Sequence, residues 1–166
     1  MADNENVHED TTEREEWIEQ VKQGYPCALE RTPENIRADR EIVLIAVKAR
    51  GFALEYASDE LKADQEVVLA AIEEQGDAFR YAADILKSNR EFVLSAVQLS
   101  HYPLEYASDE LKSNREIVLA TVSKGGDALE YASDELKSDR EIVLTAVSKD
   151  VMHLNMLTSA LGLIVR

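Results

Sequence analysis

Residues 104–120 read LEYASDELKSNREIVLA, and residues 129–145 read LEYASDELKSDREIVLT. The offset between them is 25 residues, and no gap is needed. The same phase carries backwards: residues 79–95 read FRYAADILKSNREFVLS and residues 54–70 read LEYASDELKADQEVVLA. Self-similarity at a fixed short period marks a supersecondary unit that buries its apolar face only against copies of itself. The phase also reaches more divergent sequence. Glu16-Trp17-Ile18 falls on Glu41-Ile42-Val43, Leu29-Glu30 on Leu54-Glu55, and Ile36-Arg37 on Leu61-Lys62. The reading is an array over residues 14–166 with units starting near 14, 39, 64, 89, 114 and 139. Residues 1–13 are polar and acidic without apolar periodicity, which predicts a disordered tail.

Each unit reads as two helical pieces. Ser88, Ser113 and Ser138 stand three residues before Glu91, Glu116 and Glu141, the spacing of a capping box. Asp39, Asp64 and Asp139, or Asn89 and Asn114, are equally suited to cap the same helix one residue later. The run Ile42-Val43-Leu44-x-Ala46-Val47 and its copies carry apolar residues at i, i+3 and i+4, the spacing of a helix face. Gly51, Gly76 and Gly126 follow, and a glycine able to take positive φ ends a helix there. The second piece, from Ala53 to about Lys62, is short, and Ser58 or Asp59 would split it into two single turns. Pieces this short are unstable alone and must pack on their neighbours. The predicted fold is therefore all-α, an α-solenoid of about six 25-residue helix–turn–short-helix repeats.

Written out as Leu-Glu-Tyr-Ala-Ser-Asp-Glu-Leu-Lys-Ser-Asp-Arg-Glu-Ile-Val-Leu-x-Ala-Val, the repeat resembles the tandem helical repeats of domain of unknown function 4116. The resemblance covers about residues 39 to 150 and is specific at Leu54, Tyr56, Ala57, Leu61, Asp64, Val68, Leu69, Ala71 and their counterparts. Arg31-Thr32 and Met156-Leu157 stand where the other units have Tyr-Ala. The resemblance implies the architecture and transfers no activity.

Composition narrows the function classes. The formal net charge is -15, from 33 acidic and 18 basic residues. A field of that sign repels phosphate backbones and anionic lipid, so neither nucleic acid nor a membrane surface is an expected partner. It suits a basic protein partner, and it also serves plain solubility. With one cysteine, Cys27, no intramolecular disulfide forms. The N-terminal residues show neither a basic n-region nor an apolar stretch, and no window approaches a membrane span, so the expected location is the cytoplasm.

Candidate chemistry is sparse. His8, His101 and His153 have no zinc-ligand spacing, and no phosphate loop or nucleophile elbow is present. The recurring Asp-Glu pairs, such as Asp109-Glu110, repeat in similar surroundings, whereas acid–base catalysis needs two environments that push the pKa values apart. Tyr56, Tyr81, Tyr106 and Tyr131 form one rung per unit, which fits either an aromatic stripe or repeat-to-repeat packing. The expectation is a protein with no enzymatic activity, no cofactor and no metal.

Function is expected where the units differ. The end of the first helix and its turn vary freely: KARGF at 48–52, EEQGD at 73–77, QLSHY at 98–102 and SKGGD at 123–127. Aligned turns on one edge of a solenoid form an extended surface, here on the order of 45 Å with helices stacked about 9 Å apart. Arg50, Phe52, Glu74, Leu99, His101, Tyr102 and Lys124 are the candidate partner-binding residues on that edge. The last unit departs differently: charges vanish and Met156, Leu157, Leu163, Ile164 and Val165 accumulate. They suit either a fold-back cap or an end-on docking patch for a second copy or another protein. Two functional readings follow. One is a protein-binding scaffold using the inter-helix edge or the apolar C-terminal end. The other is a structural subunit of a larger assembly or homo-oligomer.

Overall fold

The computed structural model describes residues 5–23 and 29–149, with side chains from residue 13 onward. Every element among the described residues is helical. The chain divides into two compact units, Met1–Leu86 and Lys87–Arg166.

In the N-terminal unit the order is α1 (Glu5–Lys22), a 3-10 turn η1 (Leu29–Arg31), α2 (Glu34–Arg37), α3 (Arg40–Ala49), η2 (Gly51–Tyr56), α4 (Asp59–Lys62), α5 (Gln65–Glu74) and η3 (Gly76–Tyr81). α6 (Asp84–Lys87) follows. α3 packs between α1 and α5, and η2 packs on α3, α5 and η3. The core is the repeated apolar set: Ile42, Val43, Val47, Leu54, Val67, Val68 and Phe79 are fully buried. α1 begins well before Arg14, so residues 5–13, which sequence assigns to a disordered tail, are helical.

The C-terminal unit repeats the pattern with α7 (Arg90–Leu99), α8 (Pro103–Tyr106), α9 (Asp109–Lys112), α10 (Arg115–Val122), η4 (Gly126–Tyr131), α11 (Asp134–Lys137) and a last described helix, α12, at 140–149. α10 packs on α7, α8, α9 and η4. Ile117, Val118, Val122, Leu104 and Ile142 are buried without residual exposure.

The cap alternatives resolve in favour of Asp and Asn. The Asp39 carboxylate accepts from the N–H groups of Glu41 and Ile42, and Asp64 and Asp139 do the same in their repeats. Asn89 and Asn114 accept from Phe92 and Ile117. Ser113 and Ser138 instead turn their hydroxyls back to the carbonyls of Asp109 and Asp134, so the box spacing is not used at these two serines. The second piece breaks at Ala57–Ser58, where Ser58 caps α4 by accepting from Leu61 N–H. That break frees a backbone donor, and the repeat uses it to tie itself to its predecessor. Ser58 N–H donates to Arg37 O at 2.9 Å and Ala83 to Lys62 at 2.9 Å; Ser108 donates to Lys87 at 3.0 Å and Ser133 to Lys112 at 3.0 Å.

The first helices do not end in positive φ. Arg50, Gln75 and Ser100 close α3, α5 and α7 with φ of -156, -142 and -152, all extended backbone. The glycine requirement has another cause. A Cβ on Gly51 would stand 2.4 Å from Ala71 O and 2.9 Å from Gln75 Cβ. The turn must let the end of α5 approach closely, and only hydrogen fits.

Candidate interaction surface

A ladder of ion pairs runs along the helix starts of each unit. In the N-terminal unit Arg14 reaches Asp39 at 2.6 Å and Glu41 at 2.6 Å, and Arg40 reaches Asp64 at 2.9 Å and Glu66 at 2.5 Å. In the C-terminal unit Arg90 pairs with Glu116, and Arg115 with Asp139 and Glu141. Each arginine thus grips the cap residue or the acid two positions after it on the next helix. Burial opposes ionisation of Asp39 and Asp64, but their arginines and backbone N–H groups outweigh it and hold both carboxyls below the usual range. Asp139 is likewise held low, first by Ile142 N–H. These acids are occupied in caps and bridges, which is structural work.

The tyrosine rungs are half-buried in all four repeats. Glu130 accepts from the Tyr131 hydroxyl, and together with burial this pushes its ionisation upward. The ring therefore stays neutral.

The variable turns hold the rest. On the N-terminal unit Arg50 and Glu74 are exposed. Phe52 is not a free anchor: its ring meets Tyr81 edge-on at 6.2 Å, and the Arg80 guanidinium lies 5.4 Å above it. Arg80 also covers Tyr81 at 4.7 Å. Arg80 stands where Glu30, Glu55, Glu105 and Glu130 stand in other repeats, a substitution that sequence comparison could have paired with Phe52.

On the C-terminal unit the turn is more open. Leu99 is 47% exposed and Tyr102 42% exposed. Leu99 occupies a position held by Ala49, Glu74 and Lys124 elsewhere, on the solvent side of the helix end. His101 replaces the turn glycine. Its ring lies against Tyr102 with centroids 4.3 Å apart, and its Nε2 is 3.7 Å from Asp127. The next turn adjusts, since a Cβ on Gly125 would meet His101 Cγ at 2.9 Å. A groove beside these residues is lined by Gln98, Leu99, Ser100, His101, Ser123, Lys124 and Lys149, with no carboxylate among its walls.

A second groove adjoins the first through Ser123 and Lys149, and runs along α12 past Arg140, Glu141, Leu144 and Thr145. Leu144 is 54% and Val147 52% exposed. Periodicity hid Val147, because Val47, Val97 and Val122 at its repeat position are fully buried. Met156, Leu157, Leu163, Ile164 and Val165 lie outside the described residues. Among the described residues no group of three or more His, Cys, Asp or Glu is placed to hold a metal ion, and no helix is long and apolar enough to cross a membrane.

A longer capped helix, a tight turn and a short second piece, tied to the preceding copy by backbone and ionic bonds, define a tandem helical repeat protein. Residues 18–62, 64–112 and 114–161 match the family described as Domain of unknown function (DUF4116), and the chain belongs to that family. The match takes in Arg31-Thr32 and Met156-Leu157, the two places where the repeat consensus fails. No curated protein and no solved structure matches the chain.

Proposed function

We propose that the chain is a non-enzymatic, cytoplasmic scaffold that binds another protein through the turn edge of its C-terminal unit. The observation that supports this reading is the pair of exposed apolar side chains, Leu99 and Tyr102, beside a groove carrying Lys124 and Lys149. Aromatic and apolar anchors next to a polar rim are what protein interfaces use for affinity. The groove also refines the kind of partner. Net charge argues for a basic protein, but this groove suits an acidic segment that brings an apolar side chain, because two lysines face it within a strongly acidic chain. Arg50, Glu74 and Phe52 belong to the other unit, and Phe52 is already engaged by Arg80 and Tyr81.

A photo-crosslinking amino acid at Tyr102, compared with one at Glu110, tests this reading in cells of the source. A discrete adduct at Tyr102 and none at Glu110 supports it; equal labelling at both positions contradicts a localised edge.

The second reading, a subunit that assembles with copies of itself, is favoured by a separate observation. Leu144 and Val147 leave an apolar strip uncovered at the last described helix.

A further inference from the structure

We draw no further inference here: the strongest candidate, the apolar surface patch that Ile85 leaves on α6, 71% exposed where Glu60, Glu110 and Glu135 stand in other repeats, carries nothing because nothing in the structure shows what covers it.

Discussion

Gly51 shows how one residue can be fixed by its neighbours when its own backbone angle asks nothing. Its missing Cβ leaves room for Ala71 O and Gln75, and the Phe52 N–H beside it donates to Gln75 Oε1 at 3.0 Å. Gly51→Ala forces backbone against backbone, and a loss of about 2–3 kcal/mol is expected by chemical denaturation. The cap acids give a second residue-scale prediction. Asp39, Asp64 and Asp139 all have lowered pKa values in the folded chain, so the unfolded chain binds more protons in the ordinary carboxylate range. Their stabilisation is complete above that range and is lost as pH falls through it. Asn89 and Asn114 cap the same way without titrating. The triple variant Asp39→Asn, Asp64→Asn, Asp139→Asn should therefore show a shallower loss of stability on acidification than the wild type. Parallel curves in urea melts across pH would refute a role for these caps in the acid limb.

At the scale of elements, equal sequence positions have unequal environments. Val122 and Val147 are one period apart, yet the first is fully buried and the second half exposed. Val122→Ala should cost about 2 kcal/mol, from two lost methyl groups and the space they leave. Val147→Ala, measured at low protein concentration, should cost less than about 0.5 kcal/mol. Similar losses would mean that α12 is covered in the isolated chain. This contrast also marks what sequence could tell. The first helices, the short second pieces and their core positions were legible because one pattern recurs with little change. The ends of the first helices were not read correctly, because a glycine suggests positive φ where close approach of the neighbouring repeat was the cause. The choice between Ser and Asp or Asn caps stayed open because adjacent residues satisfy the same rule; geometry, in which Asp39 reaches two N–H groups at once, decides it.

For the molecule as a whole, the repeat resemblance holds from one end to the other, with matches over residues 18–62, 64–112 and 114–161. The candidate surface was only partly legible. Leu99 and Tyr102 stood out as apolar residues in polar positions, and both are exposed. Phe52 stood out equally and is held by Arg80 and Tyr81, a contact between residues nearly thirty positions apart that no local pattern announces. The groove walls Gln98, Ser100, Ser123 and Lys149 are ordinary polar residues whose meeting depends on how three successive turns stack. The central claim is that this stacked edge, with no catalytic centre, captures a protein. The most direct measurement is quantitative affinity purification with the full chain and with a Leu99→Ala, Tyr102→Ala, Lys124→Ala variant whose helical spectrum and melting temperature match the wild type. A partner enriched by the wild type and lost by the folded variant is the predicted result. Identical partner profiles for the two chains would contradict the assignment of function to this edge.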